Sequence, residues 1–117
     1  MVTTKTFRDL ALALPEATEE PHFEKTSFRV RKKIFATYDA AKDRACIKLS
    51  EVDQDVFSTV DNTVIYPVPN KWGQQGWTLV ELTKVRKQIF KEMLLKAYLS
   101  VAPAALAAIL PGKDLQK

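Results

Sequence analysis

Ser27 to Asp39, SFRVRKKIFATYD, is the segment that most restricts the fold of this chain. It is rich in β-branched and aromatic residues, which suit a pleated, half-buried surface. Phe28 and Val30 alternate with Arg29 and Arg31, so the basic pair is expected on the opposite face of a strand. Arg31-Lys32-Lys33 is the natural tip of a hairpin. A second turn near Ala40–Asp43 leads to a third strand around Arg44–Leu49. The expectation is a three-stranded antiparallel meander whose tips carry positive charge.

Helical patterns bracket this meander. Phe7, Leu10, Ala11 and Leu14 fall at i, i+3, i+4 and i+7, the spacing of one buried helix face. Pro15 stops that helix, because a proline disfavours helical geometry in the residue before it. The acidic stretch that follows reads as a loop. Ser50 precedes Asp53 in an S-x-x-D arrangement that opens a second helix. Val52, Val56 and Val60, joined by Phe57, form its expected apolar face. Asp61-Asn62 turns the chain, and Val64–Val68 reads as a strand whose end Pro67 and Pro69 confine to an edge or a loop. Pro69 to Gly76 is the most loop-like segment, followed by a strand over Trp77–Leu82. Thr83 is placed to cap a final helix from about Lys84 to Val101, interrupted by Pro103, with one more short helical piece over Ala104–Leu110. The order α-β-β-β-α-β-β-α is an α+β pattern, not the alternating β-α of a parallel nucleotide-binding sheet.

Composition narrows the class further. With 117 residues, 46% hydrophobic and 27% charged, the chain is expected to form one domain over residues 1–117 with a genuine core. That balance excludes disorder, collagen-like repeats and a coiled coil. No apolar run approaches the ~18–20 residues of a membrane span, so no membrane partner is expected. MVTTKTFRDL carries charge where a signal peptide places its apolar stretch. Cys46, the one cysteine, cannot form an internal disulfide or a metal cluster. Together these imply a cytoplasmic, reducing setting.

Catalytic chemistry has little to work with. His22 is the sole histidine, and no local signature joins it to a nucleophile and an orienting carboxylate. Cys46 lies between Ala45 and Ile47 in a strand and reads as a small core filler. Glu19 and Glu20 read as solvated loop carboxylates. Gly73 and Gly76 lack the strand-to-helix context of a phosphate loop. No enzymatic activity, catalytic residue, metal or cofactor is expected.

Charge distribution points instead to binding. The formal net charge is +4, but it is blocky. Eight basic residues lie between Lys25 and Lys48, opposed only by Asp39 and Asp43. Glu16, Glu19, Glu20 and Glu24 form one acidic cluster, and Glu51, Asp53, Asp55 and Asp61 another. Separated patches can attract a polyanion even when the total is modest. Lys84, Lys87 and Lys91 fall at i, i+3 and i+7 beside the apolar face of the last helix. Cations crowd its first turn, where the helix dipole disfavours them and an anionic partner would offset the cost. Trp72 and Trp77 flank the glycine loop. Trp77 reads as core and Trp72 as either core or contact surface, while Asn70 and Lys71 have no evident packing reason and are better contact candidates.

Several motifs together resemble the MmcQ/YjbR family: Leu14 to Glu20, Pro21-His22-Phe23, Phe28-Arg29-Val30, and Lys33 to Ala36. Ile47-Lys48-Leu49, Asn70 to Trp77, Ala97-Tyr98 and Val101-Ala102-Pro103 extend the likeness. The resemblance implies an α-β(3)-α-β(2)-α fold with an antiparallel sheet packed against helices. Members are usually described as DNA-binding proteins with a double-wing arrangement of β-hairpins. On this chain one wing would carry Arg29, Arg31, Lys32 and Lys33, and the second Asn70, Lys71 and Trp72. With Lys48, Lys84 and Lys87 these form the expected nucleic-acid-binding set. The expected function is low-specificity contact with duplex DNA. The alternative is a protein- or small-ligand-interaction module, of secretion-chaperone-like architecture, with its surface at the sheet face or beside Trp72. The oligomeric state is left open.

Overall fold

A computed structural model of the chain describes residues 1–108. The elements run α1 (Thr4–Leu12), β1 (Ala17–His22), β2 (Lys25–Val30), β3 (Lys33–Asp39), β4 (Arg44–Lys48), α2 (Glu51–Val60), β5 (Ile65–Pro67), α3 (Lys71–Gln74), β6 (Trp77–Glu81), α4 (Lys87–Val101) and α5 (Ala104–Ala107). The six strands form one antiparallel sheet in the order β1-β2-β3-β4-β6-β5. The α+β class therefore holds, and the expected order is extended by one strand, β1, and one helical turn, α3. Ile109 and Leu110, expected in the last short helix, and Pro111-Gly112 lie outside the described residues. Among the described residues no helix is long and apolar enough to cross a membrane.

Alternation in the strands separates two faces. Phe28, Ala36, Ala45, Ile47 and Val80 are buried and meet Phe7 of α1 and Phe90, Met93, Leu94 and Ala97 of α4 in one apolar core. Phe7 is central to it, its ring 5.1 Å from Phe28 and 5.0 Å from Phe90. Such aromatic pairs add about 0.5–1.5 kcal/mol each beyond the area they bury. Tyr98 fills the other end and donates its hydroxyl to the Pro15 carbonyl at 2.7 Å, tying α4 to the end of the α1 turn.

Four local readings change. The acidic segment is not a loop but the edge strand β1, paired with β2 from Ala17↔Val30 to His22↔Lys25. Its residues have weak strand propensity; cross-strand charge supports it instead, with Glu16 paired to Arg31 and Glu20 lying 4.0 Å from Arg29. Helix α2 begins at the Ser50 cap as expected, Ser50 Oγ accepting from the Asp53 amide. However, Gln54 and Phe57 face inward while Val52, Val56 and Val60 are exposed. Helix α4 starts at Lys87, not Lys84, because a separate turn after Glu81 first places Val85 in the core. Lys84 thus lies outside the helix, and Lys84, Lys87 and Lys91 do not share a helical stripe. The segment expected as a loop contains α3, a single turn capped by Asn70, whose side chain accepts from the Trp72 amide at 2.8 Å.

Candidate functional site

Among the described residues the helices cover one face of the sheet and leave the other open. Cross-strand register sets its middle row: Thr37↔Cys46, Cys46↔Leu79 and Leu79↔Tyr66. Ile34 and Trp77 lie toward one end, His22, Lys25 and Arg44 toward the other. The β5–β6 connection supplies Val68, Pro69 and Trp72 to the same hollow, a groove of ≈ 510 Å³. That size lies within the range of about 300–1,000 Å³ usual for small-molecule sites. Its floor is apolar and its walls combine indole rings with cations.

Both tryptophans reach the groove. Trp77 is half-buried on the open face, not in the core, because Thr78 and Val80 take the inward positions of β6. Trp72 is 51% exposed and sits on α3. Two glycines make this corner possible. A Cβ on Gly73 would lie 2.0 Å from the Val68 carbonyl oxygen, and one on Gly76 only 1.9 Å from that of Leu49. Gln54 holds the corner from beneath, its amide donating to the Gly73 carbonyl and the Thr78 hydroxyl at 2.9 and 3.1 Å.

Cys46 also differs from its expected place. Ala45 and Ile47 point into the core, so the intervening side chain lies on the groove floor. Burial pushes its thiol up to about 11. It is therefore neutral at physiological pH and a weak nucleophile. Toward the His22 and Lys25 end, Arg44 Nη1 donates to the Tyr66 hydroxyl at 3.3 Å and lies 3.8 Å from Glu81, to which Tyr66 also donates. Desolvation and the Glu81 carboxylate raise the Tyr66 phenol above its ordinary value. Among the described residues, no group of three or more His, Cys, Asp or Glu could hold a metal ion.

The expected contact residues separate into four places. Arg29 and Lys48 belong to the open face, Arg29 donating to Ser27 and Lys48 to the Gln75 carbonyl at the end of α3. Arg31 and Lys32 form the two-residue β2–β3 turn, with Lys33 opening β3. Arg31 Nε lies 2.6 Å from Glu16, which lowers the carboxyl below and raises the guanidinium above their ordinary values. Asn70, Lys71 and Trp72 surround α3, where Asn70 has a capping role that its sequence position did not reveal. Lys84 and Lys87 lie before and at the start of α4, in the helical layer and away from the open face. Lys25, Arg44 and His22 were absent from the expected set. The alternation of β4 and the β1–β2 pairing bring them to the groove, and only the pairing of β1 was illegible in the sequence.

A family model, YjbR, matches residues 12–100. The crystal structure of the Deinococcus radiodurans protein DR2400, whose domain is classed as DUF419, superposes with a TM-score of 0.76 at 22% sequence identity. That similarity covers 99% of this chain and 88% of the Deinococcus chain, and it is a likeness of fold. No curated protein matches the sequence.

Proposed function

The chain belongs to the YjbR family, and from the geometry of its open sheet face we propose that it is a non-catalytic protein that binds nucleic acid with low sequence specificity. The observation that carries this reading is the meeting of two indole rings and the cations Lys25 and Arg44 in one groove on the face without a helical layer. Unpaired bases stack on aromatic side chains with little regard to sequence, while cations meet the phosphates. A single strand suits this surface better than a duplex, whose bases are already stacked.

The β2–β3 tip extends the contact. Arg31 and Lys32 both adopt left-handed backbone, φ 51° and 71°, in a turn of the type that favours Asn-Gly. Holding two long basic side chains there costs on the order of 1 kcal/mol per residue. The strain has no packing return, since Arg31, Lys32 and Lys33 are all exposed. A phosphate contact supplies a reason for it. Duplex contact through the tips alone is expected to be weaker, because Glu16 and Glu20 already oppose Arg31 and Arg29.

One observation favours a second reading, an apolar protein segment in the groove: Ile34, Val68, Pro69 and Leu79 line it, and acidic Asp39 and Glu81 share the sheet end with Arg44. Intrinsic fluorescence separates the two, because both tryptophans line the groove. Titration with a single-stranded oligonucleotide should quench emission, with affinity falling as salt rises. Loss of that binding in Trp72→Ala and in an Arg31/Lys32/Lys33 charge-reversed variant, both still folded by circular dichroism, is the expected result. No quenching, or binding indifferent to salt, would sink the nucleic-acid reading.

A further inference from the structure

A second surface lies on α2, in the helical layer and apart from the groove. Val52, Val56 and Val60 are 71%, 56% and 58% exposed. Their i, i+4, i+8 spacing aligns them along one face of the helix. Gln54 and Phe57 are the buried residues of α2 that attach it to the fold, whereas each valine is more than half exposed. Exposed β-branched residues also lower helix propensity relative to alanine. Three in register on a ten-residue helix are a feature that folding by itself does not require.

The surroundings select the partner. Between Lys48 and Lys71 the sequence has no lysine or arginine, and it carries Glu51, Asp53, Asp55 and Asp61. None of these four takes part in an ion pair among the described residues. On a helical projection Glu51 and Asp55 flank the valines on one side and Asp53 on the other. Beside them is a hollow of ≈ 450 Å³ between α2 and Pro67 of β5, with Val52 at its lip. The Ser58 hydroxyl at this hollow is buried with no hydrogen-bond partner among the described residues, so a polar group is left for something to meet.

We propose that this face docks a basic amphipathic helix of another protein. Its apolar side would cover Val52, Val56 and Val60, and its lysines or arginines would reach Glu51 and Asp55. Helix-on-helix recognition reads such i, i+4 anchors, and opposed charge sets orientation and encounter rate. A nucleic acid is excluded from this surface by the same carboxylates, so the site is independent of the groove.

The test uses the full chain and two synthetic helical peptides with leucines at i, i+3, i+4 and i+7. One carries lysines on its flanks, the other glutamates in their place. Amide shifts in NMR titrations should move on α2 with the basic peptide and not with its acidic twin. Val52→Lys/Val56→Lys should weaken binding about tenfold or more, with no loss of thermal stability because both side chains are exposed. Glu51→Gln/Asp55→Asn should weaken it less and remove most of its salt dependence. Equal binding of both peptides, shifts confined to the open sheet face, or an affinity unmoved by the valine variant would overturn the proposal. So would sedimentation showing self-association that the valine variant abolishes, since the occupant would then be a second copy.

Discussion

The side-chain amide of Gln54 donates to the Gly73 carbonyl at 2.9 Å, so α2 fixes the turn that carries Trp72. The same nitrogen lies 3.1 Å from Thr78 Oγ1 and 3.3 Å from the Trp77 carbonyl, and Gln54 is buried. One donor group thus serves both sides of the groove corner. Gln54→Leu should leave those acceptors without their partner and cost about 1–3 kcal/mol. A lower urea midpoint at unchanged m-value would record it, and an unchanged midpoint would show that the corner is held by other means.

Gly76 combines a φ of +104° with a Cβ position 1.9 Å from the Leu49 carbonyl oxygen. Its own carbonyl accepts from the Leu49 amide at 2.9 Å, so neither strand end can move away without losing that bond. Gly76→Ala is expected to cost at least about 2 kcal/mol, more than backbone strain alone in a mild case. Thermal unfolding reads this directly, and a near-normal transition temperature would contradict the close approach.

Replacing Arg31-Lys32 with Asn-Gly should raise stability. Both positions have positive φ, which Asn and Gly adopt with less strain, and about 1 kcal/mol is the expected gain. The Arg31–Glu16 pair is lost in the exchange, but it is exposed and screened, so its loss is small. The same variant should bind oligonucleotide more weakly. Stability up and affinity down would separate the role of these residues in binding from any role in folding, whereas a fall in stability would show that the turn is not strained.

Cys46 has its thiol pushed up to about 11 by burial, against an ordinary 9.0. At pH 8 the native protein should react with iodoacetamide about a hundredfold more slowly than the urea-unfolded chain, from thiolate fraction alone. The native rate should climb about tenfold per pH unit through pH 10. Linkage gives the matching sign for stability. Folding favours the neutral thiol, so this contribution is complete below the unfolded value and is lost as pH rises through the folded one. Equal rates in native and unfolded protein would show an open, ionised thiol.

The readable parts of this fold were those where side-chain pattern and backbone demand coincide. Phe7, Leu10 and Ala11 marked α1, and the alternation around Phe28–Val30 marked β2. Cys46, expected as a core filler, instead shares the open side of β4 with Arg44 and Lys48. What misled was composition taken for structure. Glu19 and Glu20 look like loop residues, yet β2 offers a strand edge and Arg8 meets Glu19 at 2.8 Å. The valines of α2 look like a core face, yet the sheet lies on the side of Gln54 and Phe57. Periodicity reveals that a helix has an apolar side. It does not reveal which side the rest of the chain will meet.

By itself the sequence determined the α+β class, the order of most elements and a basic hairpin tip within Arg31-Lys32-Lys33, because these depend on local sterics and short-range patterning. Tertiary structure alone decided that β1 would pair, that one sheet face would stay open, and that Trp72, Trp77, Lys25 and Arg44 would share a groove. Those residues are separated by up to 52 positions in the chain, and no local preference encodes their meeting. It follows from the helices packing on the Phe28–Ala36–Ile47 side, where burial of apolar surface is largest.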